Sequence, residues 1–122
     1  MATNANVDTH SNSLRTPSGV PVAFINKAEA EYVYNEIFND RVYFRHGINL
    51  HEGDVVFDVG ANIGLFAMFV QETFPNIRVF CFEPSASVFS ILQSNLSRYG
   101  ERAVAYQCGL SNAERNHPDH LL

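Results

Sequence analysis

The sequence predicts an α/β protein with a parallel sheet and helical layers, and three observations carry that expectation. The first is the stretch Val55-Val56-Phe57-Asp58-Val59-Gly60-Ala61-Asn62-Ile63-Gly64, where a short apolar run enters a glycine turn and then a helix start. The second is the order downstream of it, in which extended apolar runs alternate with helical patterns, as strand–helix–strand crossovers require. The third is that residues 55–59 are apolar on both faces except at Asp58, the pattern of a central strand with helices on both sides.

Composition bounds the rest. A chain of 122 residues is at most one small domain, and a hydrophobic fraction of 46% with ten Phe and five Tyr encodes a core. The net charge of −5, with no run of Lys or Arg, argues against a nucleic-acid backbone or an anionic membrane as partner. No apolar stretch approaches the roughly 18 residues that a membrane span needs. The N-terminus lacks the basic end and apolar core of a secretory signal. A cytoplasmic location is the expectation, and Cys81 and Cys108, each in an expected buried strand, are read as free core thiols.

Taken in order, residues 1–15 are rich in Asn, Ser and Thr and read as a disordered leader. Residues 16–54 form a lead-in. Within it Thr16-Pro17-Ser18-Gly19 is a turn, and residues 20–25 are a short strand that Pro21 marks as an edge. Asn26 is a good N-cap with Glu29 three positions on, and Ala30, Val33, Tyr34, Ile37 and Phe38 give residues 27–39 one apolar helical face. Residues 41–44 read as a short extended piece, followed by turns at His46-Gly47 and His51-Glu52-Gly53-Asp54. After Gly64 comes a helix apolar almost all round, which must be buried on more than one side. Residues 77–82 form the second core strand, ending at Glu83-Pro84. A helix over 86–98 buries Phe89, Leu92, Leu96 and Tyr99 and stops at Gly100, and residues 103–108 form the third strand. Residues 113–122 are a polar tail. The strand of residues 55–59 is innermost in the expected order, then 77–82, then 103–108.

The chemistry is read at the glycine turn. A dinucleotide fingerprint needs Gly-x-Gly-x-x-Gly, with the second glycine admitting a pyrophosphate and the third a close helix. Counted from Gly60, those places hold Asn62 and Leu65, so an NAD-binding oxidoreductase is the less favoured alternative. S-adenosylmethionine has no pyrophosphate and does not demand the second glycine. Its cationic methionine end suits a carboxylate at the strand end, Asp58, and its carboxylate suits the backbone N–H groups of the turn. Glu83 ends the second strand at the roughly 20-residue spacing at which an acidic residue chelates ribose hydroxyls. The loop Cys108-Gly109-Leu110-Ser111 can border the adenine. Purely structural alternatives have Asp58 capping the turn's N–H groups and Glu83 as a solvated strand end. His46, before a glycine near the mouth of the site, is a candidate proton acceptor, although a turn histidine without special role is the commoner case. His117 and His120 lack the third ligand of a zinc site, so no metal is expected.

Val56-Phe57-Asp58-Val59-Gly60-Ala61-Asn62-Ile63-Gly64, Phe82-Glu83-Pro84, Asn95 and Gly109-Leu110-Ser111 together resemble the FkbM-type family of S-adenosylmethionine-dependent methyltransferases. Asn35-Glu36-Ile37-Phe38 and Tyr43 resemble that family's lead-in. The resemblance implies a Rossmann-like class I methyltransferase fold, three-layer α-β-α, with residues 55–112 as its cofactor-binding half. It implies methyl transfer, usually to oxygen, on a small-molecule, sugar, polyketide or peptide-type acceptor. It makes Asp58, Gly60, Asn62, Gly64 and Glu83 cofactor residues, with Gly109 and Leu110 at the third strand's end. Members of the family continue for further strands, so the chain reads as a fragment truncated after its third core strand, which leaves residues 55–59 at an exposed sheet edge. Its general base is unknown. A catalytically inactive module, or a subunit that self-associates through the open sheet edge, is the competing expectation.

Overall fold

In the computed structural model, which describes residues 7–8 and 13–109, a small antiparallel sheet leads into a parallel three-stranded core. The first sheet comprises β1 (Val7–Asp8), β2 (Ser13–Arg15) and β3 (Pro21–Val22), in the order β1-β2-β3. The expected disordered leader of residues 1–15 is therefore corrected at these strands. Leu14 pairs with Val22 and is 0% exposed, so even this polar segment supplies one core residue. Glu72 in the first core helix accepts hydrogen bonds from Thr16 and Ser18, which fastens the turn after β2 to the core. Pro21 lies on an edge strand, as its missing N–H requires.

Helix α1 (Lys27–Tyr34) starts where the sequence indicates, with Asn26 Oδ1 accepting from the Glu29 N–H at 2.9 Å. It does not continue as one α-helix to residue 39. A π-turn over Asn35–Asn39 follows, in which Ile37 and Phe38 remain buried. Arg41 is left-handed at φ 51°, and residues expected to be extended instead form a short helix, α2 (Val42–Arg45). The reason is aromatic packing: Tyr43 lies 4.2 Å from Phe66 and Phe44 lies 5.9 Å from Phe69, ring centre to ring centre, which an extended path would not allow both to reach.

The core sheet consists of β4 (Val55–Val59), β5 (Arg78–Phe82) and β6 (Ala103–Tyr106), all parallel, in the order β4-β5-β6. It is connected by α3 (Leu65–Thr73), by α4 (Ala86–Leu96) and by a 3₁₀ segment over Ser97–Arg102. In α3 every residue from Leu65 to Gln71 is buried, as its all-round apolar sequence demands. Val79, Cys81 and Ala103 share a core with α3 and α4. The opposite face of the sheet is bare among the described residues: Val55, Phe57 and Val59 are 56%, 57% and 49% exposed. β4 is thus an edge strand, as expected for residues 55–59 in a core that stops after its third strand, and one face of the sheet has no covering layer among the described residues. On that open face Phe57 packs edge-on against Phe80 and Phe82, and Phe82 stacks on Tyr106. Cys81 is fully buried, while Cys108 lies beyond the end of β6 and is half-buried, not in a strand; both are free thiols.

Candidate functional site around the glycine turn

The turn after β4 continues the sheet for one more step. The N–H groups of Gly60 and Ala61 both donate to the Phe82 carbonyl, at 2.8 and 3.1 Å, so the start of the turn is held to the end of β5. Gly60, Asn62 and Gly64 are all left-handed, at φ 71°, 57° and 96°. Asn is the side chain that tolerates this region best after glycine, which accounts for Asn62. Gly60 has open space where a Cβ would stand. At Gly64 a Cβ would meet Leu92 Cδ1 at 2.8 Å, so the missing side chain lets α4 close against the turn.

Glu83 is not a solvated strand end. It is 8% exposed, and its Oε1 accepts from the Asn62 N–H at 2.8 Å while Oε2 accepts from the Ser85 N–H at 3.2 Å. The capping role weighed for Asp58 therefore belongs to Glu83. Asp58 Oδ2 is buried and makes no hydrogen bond. Burial first, and the Glu83 carboxylate second, push the Asp58 carboxyl up to about 6. A buried carboxylate oxygen without a donor is costly in the free protein and suits a cationic ligand.

A cavity of about 500 Å³ opens on the Asp58 side of the turn, between it and the α1–α2 segment. Gly60 and Asn62 form part of its wall, as do Glu36 and Tyr43. The sequence offered no periodic signal for these last two as wall residues, because the π-turn and the left-handed Arg41 that orient them break the helical register; only the resemblance touched them. Gly109 lies beside Pro84, 3.6 Å from where its own Cβ would stand, so the loop after β6 borders the end of β5 as anticipated. Leu110 lies outside the described residues. His46 is exposed at the end of α2 and does not line the cavity, so the structure does not bring it to the turn. Asn95 is buried in α4 and joins three segments: its Oδ1 accepts from the Ala23 N–H at 2.8 Å, and its Nδ2 donates to Ile63 O at 2.7 Å and Ala23 O at 3.0 Å.

No family model matches the sequence. The chain is 46% identical over 100 residues to 31-O-demethyl-FK506 methyltransferase FkbM of Streptomyces tacrolimicus, covering 82% of this chain and 38% of that protein. It is 50% identical over 99 residues to the AMB antimetabolite synthetase AmbE of Pseudomonas aeruginosa, covering 81% of this chain and 5% of the synthetase. It is 36% identical over 91 residues to methyltransferase sdnD of Sordaria araneosa, covering 73% of this chain and 34% of that protein. The chain thus spans little more than a third of the length of these two methyltransferases. Among solved structures, StiE O-MT superimposes with a TM-score of 0.53 at 19% identity, over 68% of this chain and 29% of that one. A chain of the fibrillarin/Nop5p complex gives 0.51 at 16% identity, over 65% and 37%. At these identities the likeness to the solved structures concerns the fold. The sequence resembles the FkbM-type S-adenosylmethionine-dependent methyltransferases, and it is folded as the Rossmann-like core of a class I methyltransferase.

Proposed function

We propose that this chain binds S-adenosylmethionine across the glycine turn and serves methyl transfer to an acceptor oxygen. The observation that carries the proposal is the division of labour between two carboxylates: Glu83 holds the turn through the Asn62 N–H, and Asp58 is left buried and without a hydrogen-bond partner at Oδ2 beside an open cavity. These residues fit the cofactor. Glu83 stands at the strand end where a ribose diol is chelated, its oxygens retaining lone pairs beyond those given to the two N–H groups. Gly109 borders the side on which an adenine would lie, and Asp58 faces the cationic end. When bound, the cofactor would supply a sulfonium methyl for transfer to the acceptor oxygen, leaving the neutral thioether, with the acceptor's hydroxyl proton passing to solvent. The chain's own contribution is alignment and exclusion of water. The acceptor class is a small molecule, sugar, or polyketide or peptide-type product, and an oxygen acceptor is in keeping with the 31-O-demethyl-FK506 named for the FkbM relative.

Titration calorimetry with S-adenosylmethionine and S-adenosylhomocysteine tests the cofactor assignment. Binding of either at micromolar concentration is the expected result, and a folded sample that binds neither overturns it. A second reading is favoured by the open apolar face and the edge position of Val55–Val59: a cofactor-binding module that is inactive until another polypeptide surface, including a second copy of itself, covers the sheet. Light scattering distinguishes the two, since a monodisperse monomer at high concentration counts against the second.

A further inference from the structure

We propose that Asn95 is a positioning residue that ties the lead-in to the glycine turn, so that the two segments move as one body and a ligand bound at the turn is felt at Ala23. The ligand half of this inference rests on the S-adenosylmethionine assignment above. The tie itself does not.

Asn95 is out of place by the chemistry of its own helix. It falls on the buried stripe of α4, beside Leu92 and Leu96, and is 3% exposed. Asn is a poor residue for a helix interior, and a buried amide without partners is costly. A leucine there would serve both the helix and the core better. The amide is instead fully committed on its donor side. Its Oδ1 accepts from the Ala23 N–H at 2.8 Å, and its Nδ2 donates to Ala23 O at 3.0 Å and to Ile63 O at 2.7 Å. One N–H and two carbonyls fix which end of the amide is which, since the reverse orientation would set donor against donor and acceptor against acceptor. Aspartate, without a donor, cannot make this set, and leucine has neither group.

Two of the bonds imitate strand pairing. Ala23 directly follows β3, and the Asn95 side chain meets both its N–H and its carbonyl, as a neighbouring strand would. The lead-in is thereby fastened to α4 just before Phe24, Ile25 and Asn26, which line the cavity. The third bond goes to the opposite wall. Ile63 stands between Asn62 and Gly64, both left-handed, and its carbonyl belongs to the peptide that enters Gly64 at the start of α3. The rest of the turn is held from the sheet, Gly60 and Ala61 by the Phe82 carbonyl and Asn62 by Glu83. Of these ties, that of Asn95 alone reaches the lead-in.

A second polar attachment of the lead-in provides the contrast. Glu72, near the end of α3, accepts from Thr16 and Ser18, and it does not line the cavity. Loss of either attachment loosens the lead-in, but only loss of Asn95 frees the turn as well. Coupling between two places is a free energy shared reciprocally. A ligand that orders the turn therefore orders Ala23, and a lead-in cut loose from Asn95 weakens the ligand.

Hydrogen exchange and calorimetry on the full chain test the tie. In the wild type, saturating S-adenosylhomocysteine is expected to slow exchange of the Ala23 amide about tenfold more than that of the Thr16 amide. Asn95→Ala is expected to weaken S-adenosylhomocysteine about tenfold or more, and Glu72→Ala, which loosens the lead-in from its other end, to leave it within about twofold. A merely structural Asn95 predicts instead that affinity follows the stability loss in urea for both variants alike. That result, or a Ala23 amide that gains no protection in the ligand-bound wild type, overturns the inference. The tie is also read without ligand. Ala23→Pro removes the donor from the lead-in side and is expected to speed exchange of the Asn62 amide about tenfold relative to the amides of β5, which Glu72→Ala does not do. An unchanged Asn62 amide overturns the inference even where Asn95→Ala fails to fold. Failure of the cofactor assignment looks different: the wild type then binds neither S-adenosylmethionine nor S-adenosylhomocysteine, and the Asn62 exchange comparison decides the tie alone.

Discussion

The carboxylate of Glu83, at the end of β5, accepts a hydrogen bond from the backbone N–H of Asn62 at 2.8 Å, 21 residues earlier in the chain. This bond links the second strand to the turn leaving the first. It places the residue that would chelate a ribose in direct control of the loop over which that ribose would lie.

Glu83→Ala is expected to reduce both stability and cofactor affinity. Two partly buried backbone N–H groups, of Asn62 and Ser85, lose a carboxylate acceptor, and a hydrogen bond to a charged group is worth about 1.5–3 kcal/mol. Urea denaturation reads the stability loss, and calorimetry reads the loss of binding. Glu83→Gln retains an acceptor for one N–H and is expected to fall between wild type and Glu83→Ala.

Asp58→Asn is expected to separate stability from function. The Asp58 carboxyl rises from its ordinary 3.8 to about 6, through burial and then Glu83. Its ionised form is thus disfavoured in the fold. Stability due to this group is fully present below the unfolded value, is lost as pH rises through about 6, and stays lost above it. At neutral pH the Asn variant is expected to be more stable than wild type by up to about 3 kcal/mol, and to lack the decline between about pH 4 and 6. Its affinity for S-adenosylmethionine is expected to fall at the same time. Denaturation midpoints across pH, set beside calorimetry, check both halves.

The first and last glycines of the turn are expected to respond unequally. Gly64→Ala combines a left-handed φ of 96° with a Cβ 2.8 Å from Leu92 Cδ1 and is expected to cost about 2–4 kcal/mol. Gly60→Ala meets only the backbone penalty, since nothing stands within 4 Å, and is expected to cost about 1–2 kcal/mol. Thermal unfolding of the two variants side by side shows whether the order holds.

Asn95→Ala is expected to loosen the lead-in from the core. The substitution strands the Ala23 N–H and the carbonyls of Ala23 and Ile63, for a cost of about 2–4 kcal/mol. Hydrogen exchange should show lost protection at the Ala23 amide before the strands of the core sheet are affected.

Much of the core was legible because it depends on local chemistry. The run 55–64 displays a strand, a glycine turn and a helix start within ten residues, and Asn26 caps its helix through its own side chain. Pro21, Gly100 and Glu83-Pro84 mark boundaries by fixing or freeing the backbone where they stand. The segment 35–45 was misread because its conformation is decided by partners far away. Tyr43 and Phe44 turn back to reach Phe66 and Phe69, and no periodicity within eleven residues encodes that. Leu14 was missed for the same reason, as one apolar residue in a polar stretch gives no pattern until Val22 pairs with it.

The sequence by itself determined the parallel strand order, the glycine turn and the acidic residue that follows it at nucleotide-site spacing. Those features rest on backbone permissiveness and apolar runs that each short segment carries within itself. Only the tertiary structure decided which carboxylate holds the turn and which is left without a partner, because that depends on how the end of β5 meets residues 60–62. It also decided that Glu36 and Tyr43 face the cavity and that one face of Val55–Val59 is bare. Both follow from which surfaces find a neighbour, and that is settled only when distant segments pack together.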